Sequence, residues 1–335
     1  MDNPKRITLP PQADGLVVIA STSGGKDSTA MLCALREAGI PFRSVFADTG
    51  WEAQETYDYL GTLERVLGLT IDRVGAPGGM RAKIRARAGF PARMQRWCTT
   101  ELKLDPLRAY HDRVAEECDT ETINTVGIRA EESISRSRMA EWEYSTEWGG
   151  YVWRPLIQWS IADVLAIHHR HNVPIHPLYQ RGHSRVGCWP CIFADKQEIR
   201  LWAEHDPASV AEVRGLEIEC EALRAERNAI TPDRYSNSIA SYFRSRETTK
   251  GPDGKRVYLP VHVDRVIEWS RTSRGGRQVP LIREEPDGGC FRWGLCEPPT
   301  RDDSHDPYGE TLRLARQEGT DHHEDHEAKE DPPQP

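Results

Sequence analysis

Short apolar runs alternate along the first half of the chain with longer stretches of helical period. Gly15-Leu16-Val17-Val18-Ile19-Ala20 is short and β-branched, the pattern of a strand covered on both faces. Phe42 to Phe46, Thr70 to Val74 and Ile123 to Ile128 repeat it, and Trp153 to Ile157 is a candidate fifth. Between them, Thr29 to Glu37 carries helix formers. Glu52 to Leu67 sets Tyr57, Leu60, Leu63 and Leu67 at helical spacing, and Ser160-Ile161-Ala162-Asp163 is an N-cap signature. Strands and helices in this alternation predict an α/β, doubly wound, mainly parallel sheet with helices on both faces.

Beyond Tyr179 the texture changes. Lys196 to Asn228 reads as helical, with a break at Asp206-Pro207, and residues 245–289 are rich in Gly, Pro, Arg and Asp. The expected organisation is a nucleotide-binding domain at 1–180, a mainly helical, cysteine-containing region at 181–297, and an acidic disordered tail at 298–335.

Charge sharpens that division. Residues 301–335 hold 11 Asp/Glu against 4 Lys/Arg, so they carry −7 of the chain's −8. The near-neutral body gives no strong polyanion signal, but Arg81, Lys83, Arg85, Arg87, Arg93 and Arg96 form a local basic run. Two readings stay open for it: a solvated helix face, or a flexible segment that closes over a polyanion. No apolar run approaches bilayer length, and the start leads into no signal-peptide core, so a cytoplasmic protein without membrane contact is expected. In that setting eight cysteines argue for metal binding or redox chemistry over structural disulfides.

The candidate chemistry begins at Ser21-Thr22-Ser23-Gly24-Gly25-Lys26-Asp27-Ser28, between the first strand and the first helix. A glycine-rich turn at a helix N-terminus is a prepared anion site, because free amides and the positive helix end point the same way. The spacing fits neither an ordinary P-loop nor a dinucleotide turn. It does match the Ser-Gly-Gly-x-Asp-Ser pyrophosphate loop of N-type ATP pyrophosphatases, an adenine nucleotide alpha-hydrolase-like fold. Asp48-Thr49-Gly50-Trp51-Glu52, Gly127-Ile128-Arg129-Ala130-Glu131-Glu132-Ser133 with Arg136, Arg154-Pro155-Leu156-Ile157 and Pro177-Leu178-Tyr179 follow in order. Together they resemble the phosphoadenosine phosphosulfate (PAPS) reductase superfamily over roughly residues 15–195.

The resemblance implies an adenine nucleotide, ATP or PAPS/APS, held by Ser21, Ser23, Gly24, Gly25, Lys26, Asp27, Ser28, Asp48, Gly127, Arg129 and Arg136, with Mg²⁺ where the nucleotide is ATP. Lys26, Asp27 and Arg129 are the candidate catalytic residues: Lys26 to neutralise phosphate charge, Asp27 to fix the loop or help place Mg²⁺, and Arg129 for bidentate recognition of phosphate or sulfate.

Cys188 and Cys191 form a Cys-x-x-Cys pair that can place two thiolates on one metal centre. Cys98, with Lys103 and Pro106-Leu107, resembles the segment in which iron–sulfur APS reductases carry a tandem cysteine pair, but Thr99 stands in the second position. A 4Fe-4S cluster therefore needs another ligand, expected to be Cys296 over Cys290. A Zn²⁺ knuckle on the same thiols is the alternative. Cys33, Cys118 and Cys220 read as packing or incidental thiols.

The family's C-terminal Glu-Cys-Gly-x-His motif is missing from the sequence. The leading expectation is therefore an ATP pyrophosphatase that activates an acceptor for sulfur transfer. A nucleic acid is one candidate acceptor, and a cysteine desulfurase or a thioredoxin-like thiol would be the sulfur donor. The alternatives are a sulfonucleotide reductase that makes sulfite, and a nucleotide- and metal-binding subunit without turnover.

Overall fold

Parallel strands buried on both faces dictate the architecture seen in the computed structural model. It describes residues 5–273 apart from 93–94, 133–135, 233–234, 236–238, 244–247, 252–253, 255 and 259. All of these belong to one compact unit, Met1–Gly289. Cys290, Cys296 and the acidic tail lie outside the described residues, as does Arg93.

The chain runs β1 (Val17–Thr22), α1 (Lys26–Glu37), β2 (Phe42–Ala47), α2 (Gln54–Leu67), β3 (Ile71–Val74) and α3 (Gly79–Arg87). A short turn of helix, α4 (Trp97–Thr99), passes through a π-helical turn (Thr100–Leu104) into α5 (Asp105–Cys118). Then come β4 (Thr122–Val126), β5 (Trp142–Ser145), β6 (Gly150–Trp153), α6 (Ile161–Arg170) and α7 (Pro177–Gln180). The remainder is α8 (Lys196–His205), α9 (Pro207–Ile230), a small hairpin of β7 (Thr248–Lys250) and β8 (Arg256–Tyr258), and α10 (Val263–Arg271).

The main sheet has the order β3-β2-β1-β4-β6-β5, parallel except for the β5 edge. Its direction of growth reverses between β1 and β4, so the loops leaving those two strands diverge and open a crevice. One face buries Met31, Leu32, Leu35, Leu60, Leu63 and Leu67 from α1 and α2, with Ile167 of α6. The other buries Leu107, Tyr110 and Val114 of α5 against Ile19 and Val45. A separate core joins Met80 and Ile84 of α3 to Trp189, Trp202, Val213, Leu216, Phe243 and Val266.

Local signals hold where they are strongest. Ser160 caps α6 in a reciprocal box, its Oγ accepting from Asp163 N at 3.2 Å while Asp163 Oδ2 accepts from Ser160 N at 2.7 Å. The break at Asp206 separates α8 from α9, and Asp206 Oδ1 caps the second helix by accepting from Ser209 N at 2.9 Å. The expected strand Trp153 to Ile157 is a correction: β6 ends at Trp153 and turns follow. Pro155 has no amide to continue the ladder, and Ile157 N instead donates back to Arg154 O at 3.1 Å.

The first four residues of the basic run, Arg81, Lys83, Arg85 and Arg87, lie on α3 as an ion-paired face. Arg81 pairs with Glu212, Lys83 and Arg87 with Glu101, and Arg85 with Glu219. These contacts tie α3 to α9 and to the π-helical turn, so the run's charge is largely spent inside the protein. Arg96 stacks over the Phe193 ring at 5.2 Å. Among the described residues no helix is long and apolar enough to cross a membrane.

The packing thiols separate clearly. Cys33 is fully buried on α1 and burial pushes its thiol up to about 12, whereas Cys118 is exposed. Since the thiolate is the reactive form, iodoacetamide at pH 8 is expected to label Cys118 in the native protein and Cys33 only in denaturant. Peptide mapping checks this. Native labelling of Cys33 would show that α1 opens more readily than its packing implies.

Candidate nucleotide site at the β1–β4 crevice

The turn from β1 into α1 carries four consecutive amides, from Ser23 to Lys26, each on a hydroxyl oxygen. Gly24 adopts φ +73°, a left-handed conformation that glycine takes without strain. Each of the next amides rests on a hydroxyl oxygen: Ser23 N donates to Ser28 Oγ at 3.2 Å, Gly24 N to Thr22 Oγ1 at 3.4 Å, Gly25 N to Ser23 Oγ at 3.4 Å and Lys26 N to the Tyr179 hydroxyl at 3.3 Å. These are long bonds beside the usual 2.9–3.0 Å of a backbone amide. Four consecutive donors at a helix N-terminus, held by weakly placed neutral oxygens, can transfer to an anion at little cost. From behind the loop, His168 Nε2 donates to Lys26 O at 2.8 Å. Burial depresses the His168 pKa, which keeps the ring neutral.

Asp27 faces across the crevice. Its Oδ2 pairs with Lys26 Nζ at 2.8 Å and its Oδ1 with Arg129 Nε at 2.5 Å. Burial alone would raise its pKa, but Lys26 and then Arg129 outweigh burial and hold the carboxyl below the ordinary range. Arg129, 4% exposed, also pairs with Glu131 Oε2 at 2.7 Å, and its amide donates to Glu132 Oε2 at 2.9 Å. Glu132 in turn pairs with Arg136. The two cations nearest the loop are thus each paired with a carboxylate, and the amides and helix dipole add to Lys26 in attracting an anion. Flanked by two cations, Asp27 is placed to tie the loop to the end of β4.

The sequence-predicted residues do not all converge. Ser23, Gly24, Gly25, Lys26, Asp27 and Ser28 form the loop, and Gly127 and Arg129 flank it from the end of β4. Ser21 instead bonds Asn124 Oδ1 at 2.9 Å, joining β1 to β4 within the sheet. Asp48 shapes the turn after β2, its Oδ1 accepting from Gly50 N and from the Tyr57 hydroxyl, both at 2.8 Å. Arg136 is more than a third exposed on its side chain and engaged with Glu132.

That β2 turn is bonded to the cysteine turn. Glu52 bridges to Cys188 as a short antiparallel pair, and Trp189 N donates to Trp51 O at 2.7 Å. The Trp51 indole N–H reaches Pro190 O at 3.2 Å and the Tyr242 hydroxyl at 3.1 Å. Lys103, from the π-helical turn, lies near Cys188, and the thiolate form of that cysteine pushes the lysine pKa up. Burial pushes the Cys188 thiol up, with Lys103 pulling against it and Glu52, Cys191 and Cys98 adding to it. Cys98, Cys188 and Cys191 therefore lie close enough for their ionisations to interact. Three soft sulfurs and one cation suit a thiolate-bound centre, yet among the described residues no three Cys, His, Asp or Glu side chains converge tightly enough to hold a metal ion. The fourth expected ligand, Cys296, is outside them.

Tyr179 and His168 had no assigned role in the sequence, because their contacts to the loop arise only from tertiary packing. Glu52 stands in the Asp48–Glu52 motif without an assigned role, and its carboxylate takes Thr49 Oγ1 at 2.6 Å and Trp51 N at 3.1 Å.

A family model for the phosphoadenosine phosphosulfate reductase domain matches residues 17–194. An uncharacterized 37.8 kDa protein of Escherichia phage 186 is 30% identical, over 85% of this chain and 98% of its own length. The adenosine 5'-phosphosulfate reductase of Allochromatium vinosum is 28% identical, over 56% of this chain and 75% of its own. A phosphate complex of phosphoadenylyl-sulfate reductase from Candida auris is 18% identical, over 54% of this chain and 85% of its own, with a TM-score of 0.42.

Proposed function

The chain belongs to the phosphoadenosine phosphosulfate reductase domain family, and we propose that it is an enzyme that cleaves ATP to AMP and pyrophosphate to activate an acceptor for sulfur transfer. The observation that carries the reading is the row of amides from Ser23 to Lys26, presented on hydroxyls at the start of α1. An acceptor oxygen attacks the α-phosphorus and the α–β phosphoanhydride bond breaks. The pyrophosphate leaves with its charge spread over those amides and Lys26. A sulfur nucleophile then displaces AMP from the adenylated acceptor. Positioning and electrostatic stabilisation supply the catalysis, and Asp27 with Arg129 keeps the loop in register.

The same proposal assigns Cys98, Cys188, Cys191 and Cys296 to a 4Fe-4S cluster, which when bound would supply sulfur-handling or electron-transfer chemistry beside the β2 turn. The sulfur donor, a cysteine desulfurase or a thioredoxin-like thiol, and a nucleic-acid acceptor belong to this reading too.

A sulfonucleotide reductase is the second reading, favoured by the likeness to the Allochromatium vinosum reductase. Calorimetry with ATP·Mg²⁺, APS and PAPS on anaerobically purified protein, followed by pyrophosphate and sulfite assays, separates them. Preferential ATP binding with pyrophosphate release is expected. Preferential APS or PAPS binding with thiol-dependent sulfite formation would replace the first reading by the second. Nucleotide binding without either product would leave a binding subunit.

A further inference from the structure

Three of the four hydroxyls under the loop amides, those of Thr22, Ser23 and Ser28, belong to the loop itself. The fourth comes from 153 residues away, on α7. We propose that Tyr179 is a phosphate-binding residue of this site, its hydroxyl donating to the same phosphate oxygen that accepts from the Lys26 amide; this rests on the nucleotide reading above.

Two observations carry it. The first is the space beside Gly25. A Cβ placed there would stand 3.3 Å from Ser23 Oγ and 3.4 Å from the Tyr179 hydroxyl. A side chain there would crowd both hydroxyls, so glycine keeps the loop face beside Ser23 Oγ, the Tyr179 hydroxyl and the Lys26 amide clear for a ligand.

The second is that the hydroxyl is fixed. Tyr179 is 3% exposed, and its ring lies beneath Lys26 Nζ at 5.5 Å. Its amide donates to His176 O at 3.0 Å, and its carbonyl accepts from Gly182 N at 3.0 Å. An oxygen that takes the Lys26 amide therefore arrives within hydrogen-bonding distance of a phenol that cannot swing aside. A hydroxyl is both donor and acceptor, so it can give up its role as acceptor of the amide and donate to the anion.

The test is Tyr179→Phe, which keeps the ring and its contact with Lys26. The probes are inorganic pyrophosphate, ATP·Mg²⁺ and adenosine, titrated by calorimetry into the full chain, with melting temperature as the fold check. The expected result is binding of pyrophosphate and ATP weakened by about tenfold, the loss of one hydrogen bond to a charged group, with adenosine binding unchanged. Tighter pyrophosphate binding would overturn the proposal, since a hydroxyl that only competes for the amide should help when removed. An equal loss for adenosine would also overturn it, by showing a general packing role.

If the phenylalanine variant melts early, 3-fluorotyrosine at position 179 gives the same answer in an otherwise native protein. Its fluorine resonance should move on adding pyrophosphate and stay put with adenosine, and no movement with pyrophosphate overturns the assignment. Wild-type protein that binds none of the phosphate-bearing probes would overturn the nucleotide reading itself and this assignment with it.

Discussion

Gly127→Ala is expected to destabilise the protein by about 1–3 kcal/mol and to weaken nucleotide binding on the order of 10²-fold. The reason is close backbone approach. A Cβ at 127 would lie 2.6 Å from Asp27 O, 2.8 Å from Asp27 C and 2.8 Å from Ser28 Cα. All three are main-chain atoms of the first turn of α1, so no side chain can rotate away to make room. Either the end of β4 or the phosphate loop has to move, and the loop is where the amides must converge to within tenths of an ångström. Urea unfolding and ATP calorimetry read the two effects separately. Gly215→Ala is the control: it lies within α9 with no atom within 4 Å of its Cβ position, and alanine there should be neutral or mildly stabilising. A Gly127→Ala protein that bound ATP normally would mean that the loop does not depend on its distance from β4.

What the sequence disclosed, and what it withheld, follows the reach of each signal. The strands β1 to β4, the cap at Ser160 and the break at Asp206 are local patterns, carried by residues within a few positions of one another. The β5–β6 hairpin was hidden because an edge strand facing solvent on one side, with Glu143 and Ser145 between aromatic residues, lacks the continuous apolar run of its buried neighbours. The glycine-rich loop was legible as residues, since its glycines and hydroxyls are contiguous. Its support was not. Arg129 meets Asp27 across 102 residues because β4 sits beside β1, and Tyr179 reaches Lys26 across 153. Two nitrogens of Arg129, which the sequence offers as a ligand-binding guanidinium, also serve carboxylates of the protein. Pairings of this kind depend on strand order, which hydrophobic periodicity does not encode.

Asp27→Asn should expose how much that pairing matters, at an expected cost of about 3–5 kcal/mol. The amide keeps the shape of the carboxylate, so packing is preserved while the charge is lost. Arg129, whose side chain is 5% exposed, is then left with Glu131, which is half exposed and strongly solvated, and with Glu132, which is shared with Arg136. A buried cation that loses its nearest counter-charge carries most of its desolvation penalty uncompensated. Combining Asp27→Leu with Arg129→Met removes both charges at once, and the pair should be less destabilised than the sum of its single variants. Asp27→Leu leaves Lys26 its solvent route, because the ammonium is less buried than the guanidinium.

The pH dependence has a definite sign. The folded-state pKa of Asp27 is held below its unfolded value, so its contribution is complete above the unfolded carboxylate pKa and is lost as pH falls through the folded one. Wild-type stability should therefore drop more steeply on acidification below about pH 4 than that of Asp27→Asn, which has no proton to take up there. Urea midpoints measured from neutral pH into that range test both claims. A cost under about 1 kcal/mol, with parallel acid curves, would place the pair among ordinary solvated ion pairs and remove Asp27 as the tie of the phosphate loop.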